Sequence, residues 1–427
     1  MQDKILSMFF EPERWKDAIS KACDKDMKHS VLSQLVKPEV RVELYQRIKE
    51  GRYKIAPPHI ALIPKDNGDF REVSVNEPVD RVILSIANDL LFELCPEMIH
   101  DSCKAYRKGI GCGMVVQELS RYITDSKQEV IGWKSDLSKY FDSVPVSFID
   151  EAFDKVEEKH GHSAVIDFLR DYYHNDWFFD ADGNLVQQYK SLKQGCSVAS
   201  WLADVVLYHI DEKLTEMADI YYRYSDDMVC FGENYLECKE YLERELEKMQ
   251  MKLNPKKVEF IRHDRWFKFL GFSIKGSDIT IAGSRLKTFQ KEIEKRTIKH
   301  RQIQTFDRKG WTLKRAITAV NRYLYKGDGQ HSWATQILPI VNVRKDVDEL
   351  NKFVMDCLRA VYTGKKKVGG LGYVRDKADG CVVRGKGRNV KTNRLKLPEI
   401  EEYMTIGCMQ NAIKTRRAVY NTLVAQL

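Results

Sequence analysis

The sequence predicts an α+β fold in which short antiparallel hairpins are set among amphipathic helices. Pairs of short apolar runs meet at turn-forming residues at Asp66-Asn67-Gly68-Asp69, at Asp180-Ala181-Asp182-Gly183-Asn184 and at Ser225-Asp226-Asp227, which is how β-hairpins read. Segments with apolar residues at helical spacing lie between them and dominate both ends. At 427 residues and 43% hydrophobic content the chain can bury a real core and has room for roughly two to four structural units.

Composition excludes several classes. No run approaches the ~18 uncharged apolar residues that a membrane span needs. The start, M-Q-D-K-I-L-S-M-F-F-E, sets charges on both sides of a very short apolar piece, unlike a signal peptide. The ten cysteines contain no Cys-x-x-Cys pair, so reduced thiols and a cytoplasmic location are expected rather than a zinc site or disulfide scaffold. Charge is divided unevenly. Residues 251–427 hold 38 Lys+Arg against 16 Asp+Glu, and residues 1–250 hold 32 against 46. An acidic half joined to a basic half suggests bound cations in the first and a polyanion on the second.

Taken in order, residues 1–50 read as helices ending at Gly51 and carry no distinctive chemistry. Residues 60–76 read as a hairpin with Lys65 and Arg71 on either side of its tip. Two such cations suit a triphosphate, Arg as a fork and Lys as a point charge; solvated surface charge is the other reading. A helix with an apolar stripe opens at Asp80-Arg81. Gly109, Gly111 and Gly113 lack the spacing of a P-loop and read as a basic loop before a helix.

V-I-G-W-K-S-D predicts a strand ending at Asp136, with Phe141 and Asp142 in the next turn. Asp136 reads either as a helix N-cap or, together with the later Asp226-Asp227, as part of a two-metal site. Each Mg²⁺ needs about two carboxylates and keeps other positions for water and phosphate. Residues 145–177 predict two helices. His160 and His162 lie two apart, wrong for one helix face, so no metal site is assigned there. Gln194-Gly195 precedes a helix whose small residues Ser197, Ala199, Ser200 and Ala203 allow close approach of another chain.

The centre of the chain is I-Y-Y-R-Y-S-D-D-M-V-C-F, residues 220–231. Its two apolar runs predict a hairpin presenting adjacent carboxylates at its tip, which is costly unless cations bind there. Beyond a charged helix, Leu253-Asn254-Pro255-Lys256-Lys257-Val258 leads into a strand. F-K-F-L-G-F-S-I then pairs with I-T-I-A through Lys275-Gly276-Ser277-Asp278. Residues 284–360 predict three basic helices. Residues 365–396, with eleven basic and two acidic residues, read as a basic loop that orders on nucleic acid or as a solvated linker; a basic helix closes the chain.

Together the motifs resemble bacterial reverse transcriptases of the group II intron-like lineage, which includes retron, diversity-generating and phage-defence enzymes. The resemblance covers roughly residues 51–280, with six motifs in the expected order: I-P-K-D-N-G-D-F-R, D-L-S-K-Y-F-D, Q-G-C-S-V-A-S-W-L-A-D, Y-S-D-D, L-N-P-K-K-V and F-L-G-F. It implies a right-hand polymerase: a helical N-terminal extension (1–50), fingers and palm (51–280), a helical thumb (281–360) and a basic C-terminal loop and helix (361–427).

It also implies Asp136, Asp226 and Asp227 as catalytic residues and, with Leu137, as ligands of two Mg²⁺ ions for which Mn²⁺ substitutes. Substrate contacts would come from Lys65, Arg71, Phe141 as the gate against a ribose 2′-hydroxyl, Gln194, Gly195 and Lys257. Phe269, Leu270 and Gly271 would form the primer grip. The implied partners are dNTPs, an RNA template (a structured non-coding RNA) and the DNA product. The chain departs from the family pattern at Lys193, Ala199-Ser200 and Asp204, and no His follows His331; a standalone polymerase with a dedicated RNA, as in retron or phage-defence systems, fits these departures best. An intron-splicing RNA-binding protein and an untemplated or protein-primed polymerase are the alternatives.

Overall fold

The computed structural model describes residues 3–23, 32–64, 69–126, 129–299, 313–326, 332–363, 373–375 and 382–384. The fold is mixed α+β with mainly antiparallel sheets. Packing divides the chain into two compact units, one of residues 1–108 and 131–260, the other of residues 109–130 and 261–427. Among the described residues no helix is long and apolar enough to cross a membrane.

In the first unit the N-terminal helices Lys4–Phe9, Pro12–Cys23 and Pro38–Lys49 bring Phe9, Trp15 and Leu44 into the core. Strands β1 (His59–Pro64) and β2 (Phe70–Val75) pair antiparallel, with Ile63 opposite Arg71. The turn joining them, with Lys65, lies outside the described residues. Helix Pro78–Leu94 starts on a proline, which lacks only an N–H that a first turn cannot use. It buries Val82, Ile83, Ile86, Leu90 and Leu94 along one stripe.

Strand β3 (Ile131–Asp136) is followed by the short helix Tyr140–Ser143, whose N-cap position is Lys139. Asp136 therefore caps no helix. Helices Val146–His160 and Ala164–His174 follow, then β4 (Trp177–Phe179) and β5 (Leu185–Gln187), completing a sheet of order β2-β1-β4-β5. Helices Ala199–Val205 and Tyr208–Met217 lead to β6 (Ile220–Tyr224) and β7 (Asp227–Phe231). After helix Tyr235–Lys248 comes β8 (Glu259–Arg262), and the central sheet runs β6-β7-β3-β8. Trp133, Tyr140, Phe153, Tyr173 and Trp201 are buried around it.

In the second unit β9 (Phe267–Phe269), β10 (Phe272–Lys275) and β11 (Asp278–Ile281) form a three-stranded meander. This corrects one expectation. Phe267–Ile274 is two antiparallel strands and not one, with Phe269 paired to Phe272. Leu270 (φ 48°) and Gly271 (φ 79°) both adopt the left-handed region, and a two-residue turn with both φ values positive reverses the chain while keeping the strands' right-handed twist. Helix Cys112–Asp125 packs on this meander, and its Ser120 hydroxyl donates to the Gly276 carbonyl. The expected basic helices are present as Gly283–Glu294, Leu313–Lys326 and Arg344–Thr363. Within the expected basic loop, β12 (Tyr373–Arg375) and β13 (Val382–Arg384) pair antiparallel, so that part is a ribbon. The closing basic helix lies outside the described residues.

Candidate active site

Asp136 is the last residue of β3 and Asp227 the first of β7, and the two are partners across the antiparallel ladder. On its other side Asp227 partners Tyr224, leaving Ser225 and Asp226 as a two-residue turn. Ser225 pays for that tight reversal with φ 60°, a region a side chain disfavours. Its hydroxyl lies 3.3 Å from Tyr106 Oη. The Leu137 N–H donates to the Asp226 carbonyl at 3.1 Å, and the Asn254 N–H to the Asp136 carbonyl at 2.9 Å. Three carboxylates from two distant parts of the chain thus converge at one end of the central sheet.

Their electrostatics are unfavourable without cations. Asp136 is 3% exposed; its Oδ2 accepts from Lys257 Nζ, while its Oδ1 is buried with no hydrogen-bond partner. A buried carboxylate oxygen without a partner is costly. Burial, then Asp226 and Asp136, push Asp227 up to about 6. Burial is also the leading reason that Asp226 is raised, with Asp136 adding to it and Lys257 and Arg71 opposing. Burial works against the Lys257 charge, but its hydrogen bond to Asp136 and the pull of all three carboxylates hold its pKa above the ordinary lysine value. The corner therefore draws in the nearest ammonium. Hard, oxygen-rich and negatively charged, it suits Mg²⁺. Leu137 is buried and its hydrocarbon side chain has no donor atom, so only its backbone carbonyl could serve a metal.

The other expected contacts fall into three groups. Phe141 is half-buried in the short helix, and its carbonyl accepts from Leu192 N (2.9 Å) and Ser191 Oγ (3.2 Å). The same segment continues to Gln194, whose carbonyl accepts from Ser74 N at 2.6 Å. Gly195 has φ 109°, and a Cβ there would meet the Ser74 carbonyl oxygen at 2.6 Å, so glycine is required where β2 passes. Arg71 lies exposed on that same strand. Strand β2, the Gln194-Gly195 turn and Phe141 are thereby tied together. Lys65 lies outside the described residues. Phe269, Leu270 and Gly271 belong to the second unit, where Arg285 stacks over Phe272 (4.7 Å) and donates to the Leu270 carbonyl (3.2 Å).

Some chemistry went unread in the sequence. Arg223 lies within an apolar run of the sequence, yet it is fully buried and ion-paired with the equally buried Asp211. Strand alternation carried the signal, because Tyr221, Arg223 and Ser225 share the buried face. Lys193 is buried against the faces of Tyr172 (4.7 Å) and Phe178 (5.1 Å), and burial lowers it to about 8. His162 bridges Glu157 (2.9 Å) and Asp167 (3.3 Å), groups brought together from two helices and the loop between them.

Residues 63–274 match the family model described as "Reverse transcriptase (RNA-dependent DNA polymerase)". That stretch, just under half of the chain, is similar to a reverse transcriptase domain. It contains both strands of the carboxylate corner, the Gln194-Gly195 turn and Lys257. A relative from Saccharomyces cerevisiae, "Putative COX1/OXI3 intron 1 protein", is 22% identical over 180 residues, 42% of this chain and 21% of that protein; the match thus spans about a fifth of the curated relative. Solved structures similar to this chain include apo telomerase from Candida tropicalis, at 14% identity and TM-score 0.46, covering 73% of this chain and 58% of that one. The same telomerase in complex with a fragment of telomeric RNA gives 14% identity and TM-score 0.46, covering 73% and 55%.

Proposed function

We propose that the protein is an RNA-directed DNA polymerase that joins dNTPs to a primer by two-metal nucleotidyl transfer. The observation that carries this reading is the partnering of Asp136 with Asp227 beside the Asp226 turn, with Asp136 Oδ1 buried and unsatisfied. Asp136, Asp226, Asp227 and the Leu137 carbonyl would hold two Mg²⁺ ions, which when bound supply activation of the primer 3′-hydroxyl and charge neutralisation at the pyrophosphate. Lys257, whose side chain is 61% exposed beside Asp136, would offset charge on the leaving phosphates where cations balance the carboxylates. Arg71 and Lys65 offset triphosphate charge. Phe141 blocks a 2′-hydroxyl. Phe269, Leu270 and Gly271 hold the primer end, and the basic helices act as a thumb that grips the duplex by its backbone, reading shape rather than sequence. The template is a structured non-coding RNA of a retron-like or phage-defence system, consistent with the departures at Lys193, Ala199-Ser200 and Asp204.

The intron-protein relative favours a second reading, in which RNA binding in splicing is the function and polymerisation is secondary. One double variant separates the two. Asp226→Ala with Asp227→Ala is expected to abolish dNTP incorporation on a primed RNA while RNA binding persists. Undiminished synthesis would remove the polymerase reading; full biological function of the synthesis-dead protein would favour splicing.

A further inference from the structure

Arg223 sits on β6, three residues before Asp226, fully buried beneath the carboxylate turn. Its guanidinium has five N–H groups and all find acceptors. Nε donates to both Asp211 oxygens (2.8 and 3.0 Å). Nη2 donates to Asp211 Oδ2 (2.5 Å) and to the Asp204 carbonyl (2.8 Å). Nη1 donates to the Ala203 carbonyl (2.8 Å) and to the Ser225 carbonyl (3.3 Å). Asp211 is fixed in turn by the Tyr221 hydroxyl at 3.0 Å. The Arg223 backbone is committed as well: its N–H donates to Ser102 O (3.0 Å) and its carbonyl accepts from Lys104 N (2.8 Å).

A buried ion pair contributes little net stability over an apolar packing of the same volume. What this one does is geometric. One rigid planar cation links helices Ala199–Val205 and Tyr208–Met217 to the carbonyl of Ser225, the residue held at φ 60° immediately before Asp226. We propose that Arg223, locked by Asp211, is a positioning residue that sets the Ser225-Asp226 turn so that Asp226 and Asp227 reach the same cations as Asp136. It acts through the turn and touches no substrate. Lysine cannot replace it, having three donors about a point charge in place of a five-donor fork.

The inference rests on the metal-binding part of the proposed function, and its test does not need polymerisation. Mn²⁺ binding to the full chain is titrated by the loss of the free-ion electron paramagnetic resonance signal, with Asp226→Ala locating the site and thermal melting showing that each variant is folded. Arg223→Lys is expected to weaken Mn²⁺ binding about tenfold or more, the scale at which residues supporting metal ligands act. Asp211→Asn, which keeps the shape and loses the charge, is expected to weaken it in the same direction. Where neither folds, Tyr221→Phe leaves the ion pair in place, removes one hydrogen bond from Asp211 and is expected to weaken binding measurably. A folded Arg223→Lys protein, or failing that a Tyr221→Phe protein, that binds Mn²⁺ as the wild type does overturns the positioning role, as does a wild type that binds none through Asp226. A wild type that binds Mn²⁺ through Asp226, weakened by Arg223→Lys, but extends no primer on any template removes the polymerase reading and leaves the positioning role standing.

Discussion

Asp136 and Lys257 form an ion pair although 121 positions separate them in the chain, and the lysine approaches from solvent onto an acid that is nearly sealed from it. Lys257 holds one Asp136 oxygen and leaves the other unpaired. One ammonium cannot balance three carboxylates. Burial first, and the remaining repulsion after it, raise Asp226 and Asp227, with consequences for stability as well as for metal binding.

Asp227→Asn should stabilise the metal-free protein while removing one of the three carboxylates proposed to hold the cations. Asp227 titrates near 6 in the folded chain, against an ordinary value of about 3.9. Between those values the unfolded chain has already lost its proton and the folded one has not, so stability falls as pH rises through the window. Above about pH 6 the whole cost is present, roughly 2 to 3 kcal/mol. Melting temperatures of wild type and variant without divalent ions should therefore diverge as pH rises from 4 to 6, with the variant higher, and stay apart by a constant amount above pH 6. Parallel curves across that range would contradict the argument.

Lys193→Met should change the alkaline side of the profile. Lys193 titrates near 8 because burial disfavours its charge, although its ammonium donates to the Asn175 carbonyl and faces two aromatic rings. Below pH 8 both states are protonated and the cost is complete. Between 8 and about 10.4 only the unfolded chain keeps the proton, so wild-type stability rises with pH relative to the variant by roughly 3 kcal/mol. Chemical denaturation at pH 7, 8.5 and 10 measures it; a constant difference between the two proteins would show that Lys193 does not titrate in that range.

Phe141→Ala should admit ribonucleotides. The ring is half-buried and its backbone anchors Ser191 and Leu192 just ahead of Gln194, so truncation opens space without cutting that tie. The preference for dNTP over rNTP should fall by about ten- to a hundredfold, since one group of this size is worth roughly 1–3 kcal/mol of discrimination. Single-nucleotide incorporation with matched dNTP and rNTP reads it directly, and an unaltered ratio would take the gate away from Phe141.

Much of the architecture was legible because hairpins and amphipathic helices are written in local patterns. The turn at Ser225-Asp226, the strand ending at Asp136 and the pair of β1 and β2 depend on residues within a few positions of one another. The F-L-G-F stretch reads as one strand because its apolar run is continuous; only the positive φ values at Leu270 and Gly271 reveal the reversal. The burial of Arg223 and Lys193 is not legible in the sequence, because neither residue type announces it and each is held by partners from other elements.

By itself, then, the sequence determined where the carboxylates stand along their strands, since a strand's end and a turn's tip follow from neighbouring residue types. Tertiary structure alone decided which acids meet, that Asp136 lies opposite Asp227, that Lys257 closes on the first of them and that Arg223 and Asp211 lie beneath the turn. Sheet register and burial set those pairings, and they arise from contacts between segments far apart in the chain, where no local spacing records them.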